Sequence, residues 1–204
     1  MITMKLQGAL PDAYAEPAWD VALLFPAQGA WTEGEYLQLN TNHLVEFSHG
    51  QLEVLPMPTR MHQMIVGYLY LLFRTFAKHE AGIVVLAPFR LRLWEGKYRE
   101  PDLLFLVNKN DPRNQEAFWL GADLVVEVVS LDDPNRDLVE KRREYAQAGI
   151  PEYWIVNPQT ESITVLQLRH DYYIEHGLFK RGDTATSATL AGIEVDVAAV
   201  LDVE

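Results

Sequence analysis

Asp102, Glu127 and Lys141 are the residues whose types and placement could do chemistry. Glu127 sits inside residues 123–129, a short and almost wholly apolar run that reads as a strand buried on both faces. A carboxylate is almost never fully buried without a partner, because removing the ion from water costs several kcal/mol or more. A cation, a metal or a bound proton must compensate it; an arginine or lysine at the strand end, or a partly wet edge, would do so as well. Asp102 opens a second apolar run, 101–106. Alone it reads as a cap or turn residue after Pro101. If the two strands are neighbours, its carboxylate and that of Glu127 converge at one end of a sheet. Two hard oxygen donors there suit Mg²⁺ or Mn²⁺, with water in the remaining positions. Lys141 belongs to the charge run 140–144, most of which reads as a solvated helix face. Lys141 and Tyr145 are one helical turn apart and share a face. A short connection from the Glu127 strand lets this helix fold back beside it. A lysine delivered there would orient a water molecule and offset negative charge on a phosphate.

The elements that must position these groups follow from periodicity and punctuation. A short helix is expected near 33–39, and a hairpin over 45–47 and 51–55, turning at Ser48, His49 and Gly50. Met61, Ile65, Leu69, Leu72, Phe73 and Phe76 recur at helical spacing, which predicts a helix over 60–79 stopped by Gly82. Residues 83–86 form a short β-rich run. Residues 89–94 and 98–107 read as a hairpin around Gly96, and 108–121 as a loop. A helix is expected over 135–148, after stop signals at Asp132, Asp133 and Pro134, and is closed by Gly149. Residues 152–156 read as another core strand, and 163–168 with 172–175 as a further hairpin. Residues 197–201 suggest a helical turn. Strands and helices neither alternate strictly nor segregate, which points to a mixed sheet with helices on its faces.

Composition bounds the function. A chain of 204 residues with about half its residues hydrophobic can bury a core without staples, and fits one domain. With no cysteine there is no disulfide, thiol nucleophile or thiolate metal site. No signal-peptide pattern opens the chain and no apolar run is long enough to span a bilayer, so a cytoplasmic, membrane-free protein is expected. The net charge of −12 argues against a protein that coats nucleic acid through a broad basic surface. A local site on nucleic acid remains compatible with it. Phosphate-cradling glycine loops, serine-nucleophile elbows and zinc-protease helices are missing.

The ordered set Pro101-Asp102, the 123–130 strand with Glu127, Asp137, Lys141 and Tyr145 on one helix, and the 149–158 segment resembles the Uma-two family of restriction-endonuclease-like proteins, of the PD-(D/E)xK nuclease class. Leu44 to Glu46, Gly50 to Glu53 and the helix-borne His62 match that family's N-terminal pattern. The resemblance runs from about 36 to 158, and more loosely to the end. It implies an α/β (α+β) fold with a restriction-endonuclease-like core, a mixed β-sheet flanked by helices and added N-terminal and C-terminal β-hairpins. It implies a single domain, with an arm over 1–35, a core over 36–158 and a hairpin and tail over 159–204. It implies a Mg²⁺- or Mn²⁺-dependent endonuclease on DNA, with Asp102, Glu127 and the Val128 carbonyl holding the metal and Glu53, His62 and Tyr145 in support. The usual lysine two residues past the second carboxylate is replaced here by Val129, so Lys141 is the expected substitute. A homodimer would cut both strands of a duplex most simply. Two rival readings stand beside this one: a nuclease fold kept as a non-catalytic binding module, and a hydrolase of smaller phosphate esters. Arg90 and Arg92 are read as contacts to phosphate or to local acids, and Trp119, Tyr153 and Trp154 as core.

Overall fold

The structure is a computed structural model that describes residues 26–41, 43–130 and 134–203; most of the expected arm and the stop signals Asp132 and Asp133 lie outside them. The described chain begins with helix α1 (Glu33–Gln38), then strands β1 (Val45–Ser48) and β2 (Gln51–Val54). Helix α2 (Arg60–Glu80) follows, then β3 (Ile83–Leu86), β4 (Leu91–Trp94), β5 (Lys97–Arg99), β6 (Leu103–Leu106) and β7 (Leu124–Val128). A π-helical turn, Arg136–Glu140, leads directly into α3 (Lys141–Gln147). Strands β8 (Glu152–Asn157), β9 (Ser162–Arg169), β10 (Tyr172–Lys180), β11 (Thr184–Thr186) and β12 (Glu194–Asp196) and helix α4 (Val197–Leu201) complete it.

These elements form a mixed six-stranded sheet, β10-β9-β8-β7-β6-β3, and a four-stranded sheet, β2-β1-β5-β4. Only β7 and β8 run parallel, and α3 is the crossover between them. The expected mixed sheet with flanking helices is therefore present. Side chains alternate across the pleat. Leu103, Phe105, Val126 and Trp154 face α2 with its Ile65, Leu69 and Phe73. Leu104, Leu106, Val125 and Ile155 face Tyr145 and Ala146 of α3. Each such side chain, once fully buried, contributes about 1.5–3 kcal/mol.

The expected hairpin strand over 98–107 is instead two strands in two different sheets. Pro101 supplies the physical reason: it has no N–H for a ladder, and its ring restricts the residue before it. The chain leaves the small sheet at Arg99, crosses at Glu100, Pro101 and Asp102, and enters the large sheet at Leu103. Helix α2 starts at an N-cap, with the Thr59 hydroxyl accepting from the His62 N–H at 3.2 Å. It ends one residue earlier than the glycine signal, at Ala81 in a left-handed conformation. Gly82 is needed for a different reason, because a Cβ there would lie 2.8 Å from the Leu106 carbonyl oxygen. The helix expected over 135–148 divides into the π turn and α3. Strands β11 and β12 carry too few residues to give a periodic signal.

Candidate active site

The pairing register decides where the carboxylates go. Leu103 lies opposite Val126 in the antiparallel β6–β7 pair. One step outward, Asp102 faces Glu127, and both fall on the side of the sheet that carries α3. A second step puts Pro101 opposite Val128. With no N–H on Pro101, that strand offers the Val128 carbonyl no ladder donor. The Val128 N–H has found a side chain instead and donates to Asp102 Oδ2 at 2.7 Å.

Three further groups reach the pair. Lys141 Nζ lies 2.9 Å from Glu127 Oε1 and 3.0 Å from Asp137 Oδ1. The Tyr145 hydroxyl donates to Glu127 Oε1 at 2.6 Å. His62 enters from the start of α2, with Nε2 3.2 Å from Asp102 Oδ2. The π turn explains the double reach of Lys141: residues 137 and 141 are one turn apart, and the widened turn directs both inward. All of these except Tyr145 line one cavity of about 300 Å³, bounded also by Glu100, Arg136 and the segment from Leu55 to Thr59.

Charge in this cavity is unbalanced. Four carboxyl groups, of Glu100, Asp102, Glu127 and Asp137, line it with two fixed cations, Arg136 and Lys141, while Arg90 pairs with Glu100 at 3.6 Å. Burial pushes the Glu127 carboxyl above the usual carboxylate range; Lys141 pulls it down, while Asp137 and Asp102 push it further up. Burial would lower Lys141, but Glu127 and Asp137 outweigh it and hold the amine above its ordinary value. The two shifts pull the shared proton in opposite directions. The ammonium is the firmer assignment, because two carboxylates serve one amine. Burial likewise lowers His62, and the hydrogen bond and charge of Asp102, with the charge of Glu127 and a hydrogen bond to the Val128 backbone, more than reverse this. Burial raises Glu100 to about 7, against donation from the Val45 N–H and the charge of Arg90.

The donor set fits a small divalent cation. Two carboxylates and a carbonyl relieved of its ladder partner are hard oxygen ligands, and carboxyl groups in excess of cations suit a positive ion. Among the described residues no three His, Asp or Glu side chains form a ready cage. Mg²⁺ does not require one, since it commonly binds through one or two carboxylates together with water and substrate phosphate.

Sequence reasoning thus brings Asp102, Glu127, Val128, His62, Lys141 and Tyr145 to one place. Glu53 is set apart: it pairs with Arg136, lies 3.6 Å from Arg99 NH1 and lines a second cavity. Arg136 and Glu100 were not singled out, and Asp137, named only as part of the helix motif, was given no role, although its four-residue step to Lys141 could have identified one. Arg90 and Arg92 serve local acids, Glu100 and Glu33. Trp119, Tyr153 and Trp154 are core.

A mixed sheet with carboxylates facing each other on adjacent strand ends, and a lysine delivered from the next helix, defines a nuclease-like α+β protein. The family described as "Putative restriction endonuclease", Uma2, matches residues 33–200, and the chain belongs to that family. A crystal structure from Anabaena variabilis, described as a "putative nuclease belonging to DUF820", has the same fold: the TM-score is 0.71 at 16% identity, over 84% of this chain and 97% of that one. No curated protein matches the chain. Among the described residues no helix is long and apolar enough to cross a membrane.

Proposed function

We propose that this chain is a divalent-metal-dependent endonuclease that hydrolyses DNA phosphodiester bonds. The observation that carries the proposal is the convergence of Asp102 and Glu127 in a cavity with more carboxyl groups than cations, where Glu127 lies 2.9 Å from the Lys141 ammonium. Asp102, Glu127 and the Val128 carbonyl would hold Mg²⁺ or Mn²⁺. When bound, the ion supplies Lewis-acid polarisation of a phosphate oxygen and a more acidic water. In hydrolysis a water oxygen forms the new bond to phosphorus, and an ester oxygen leaves and takes up a proton.

Lys141 is held as an ammonium, so it offers charge and hydrogen bonds and is not a general base. Two of its three N–H donors are engaged by Glu127 and Asp137; the third remains for water or a phosphate oxygen. Asp137 and Tyr145 are positioning residues, one for the amine and one for the Glu127 carboxylate. The direct test is cleavage of plasmid and oligonucleotide DNA in Mg²⁺ or Mn²⁺. Wild type cleaves, and Asp102→Ala loses at least about a hundredfold in rate while staying folded. Equal cleavage by the variant would sink the assignment.

A second reading, a non-catalytic binding module, is favoured by one observation. The Lys141–Glu127 pair already compensates one buried charge internally. It predicts no metal-dependent cleavage and unchanged partner binding in Glu127→Ala.

A further inference from the structure

The two fixed cations of the cavity are held in different ways. Lys141 is 4% exposed and lies between the buried carboxylates of Glu127 and Asp137. Arg136, the first residue of the π turn, is 16% exposed and donates through NH2 to Oε1 of Glu53, a side chain 47% exposed on β2. The other oxygen of Glu53 lies 3.6 Å from Arg99 NH1, and Arg99 is locked in place by Glu46 and Glu144. Glu53 and Arg99 line the second cavity, of about 220 Å³. Arg136 lines the one that holds Asp102 and Glu127. Its guanidinium therefore stands between the two cavities, steadied by a carboxylate of one and presented to the other.

Resting on the nuclease reading, the geometry points to Arg136 as the residue that receives a substrate phosphate, with Glu53 as its positioning residue. A phosphodiester entering the cavity brings negative charge to a lining rich in carboxyl groups. A divalent ion at Asp102 and Glu127 answers part of that charge. Lys141 is already shared by two carboxylates, and drawing it away from them would leave buried charge uncompensated. Arg136 carries no such cost, because Glu53 keeps contact with water and with Arg99. A guanidinium is a planar fork of five N–H donors, so one edge rests on a carboxylate while another meets phosphate oxygens. The contact is to the nucleic-acid backbone and carries no preference for sequence or strandedness. Glu53 acts only through Arg136. Its replacement should weaken the binding of a polyanion, opposite to the effect of simply deleting a negative charge from the surface.

The test uses full-length protein with Mn²⁺ and a fluorescein-labelled, cleavage-resistant phosphorothioate oligonucleotide. Affinity is read by anisotropy across a salt series. Arg136→Ala is expected to weaken binding at least about tenfold and to reduce the slope of log affinity against log salt by about one. Arg136→Lys is expected to keep the slope and lose about threefold in affinity, since the charge remains and the fork does not. Glu53→Gln is expected to weaken wild type at least about threefold and to change nothing in the Arg136→Ala background. Unchanged affinity in Arg136→Ala, tighter binding in Glu53→Gln, or an equal loss from Glu53→Gln in both backgrounds overturns the inference. Circular dichroism checks the fold, and Arg136→Lys and Glu53→Gln carry the test if Arg136→Ala does not fold. Cleavage of the unmodified oligonucleotide in Mg²⁺ separates the two claims. The expected binding pattern without cleavage by wild type leaves the inference standing and removes the nuclease. Cleavage by wild type with an unchanged KM in Arg136→Ala keeps the nuclease and removes the inference.

Discussion

Two buried charged regions lie a few residues apart in this molecule and resolve their electrostatics in opposite ways. The first surrounds Arg99 on β5. Its guanidinium donates to Glu144 Oε2 at 2.7 Å and pairs with Glu46, while Lys97 Nζ lies 2.8 Å from Glu144 Oε1. Two buried cations meet two buried carboxylates, and the exposed Glu53 and Glu140 approach Arg99 at 3.6 Å and 3.9 Å. Burial would raise Glu46 and Glu144, but Lys141 and then Arg99 more than reverse it for Glu46, and Arg99 and Lys97 for Glu144, so both lie below their ordinary value. The second region is the Asp102–Glu127 cavity, where carboxylates outnumber cations and Glu127 and Glu100 are pushed up. A balanced network ties α3 to the small sheet and needs nothing from outside. An unbalanced one is where a cation would be taken up under the proposed function. The difference separates buried charge that serves the fold from buried charge that serves a ligand.

The comparison breaks most readily at Arg99. Arg99→Met removes the shared partner and leaves Glu46 and Glu144 buried, so unfolding in urea should show a loss of about 3–5 kcal/mol. Asp102→Asn should cost less than about 1 kcal/mol in the same measurement. Comparable losses for the two would erase the distinction.

A smaller effect sharpens it through pH. The folded-state value of Glu100 is raised to about 7 from an ordinary 4.5. Between those values the native state binds more protons than the unfolded state, so this group's contribution is full below about 4.5 and is lost as pH rises through about 7. Glu46 and Glu144 run the other way: their contribution is present above the ordinary carboxylate value and is lost as pH falls through their lowered values. Glu100→Gln should therefore gain on wild type by about 1–3 kcal/mol between pH 4.5 and pH 8. Chemical unfolding across that range checks it, and a gap that does not change with pH contradicts it.

Much of the site was legible because strand periodicity is strict. Glu127 in an apolar run, Asp102 at the start of another, and Lys141 and Tyr145 one turn apart are enough to bring four side chains to one face. Glu152 shows where such reading stops. It too is a carboxylate in an apolar strand, fully buried. Its oxygens are sealed by Trp154 Nε1, the Ser187 hydroxyl and the backbone and side chain of Thr189. Trp154 is a local partner, but the groups that seal the other oxygen come from a connection more than thirty residues away, where no local pattern shows them. The Arg99 network was illegible for the same reason: its members come from β1, β5 and α3. The break at Pro101 was legible in principle. A proline inside a run read as one strand argues for two, and here the division places Asp102 in the lining of the cavity.

Under the proposed function, Asp102 and Glu127 hold a divalent cation. Isothermal titration of Mn²⁺ and Mg²⁺, with a cleavage-resistant phosphorothioate oligonucleotide present, tests it most directly. Saturable binding by wild type that disappears in the Asp102→Asn, Glu127→Gln double variant is the predicted result. Undiminished binding in the double variant, or no binding by wild type with the oligonucleotide in place, would contradict it.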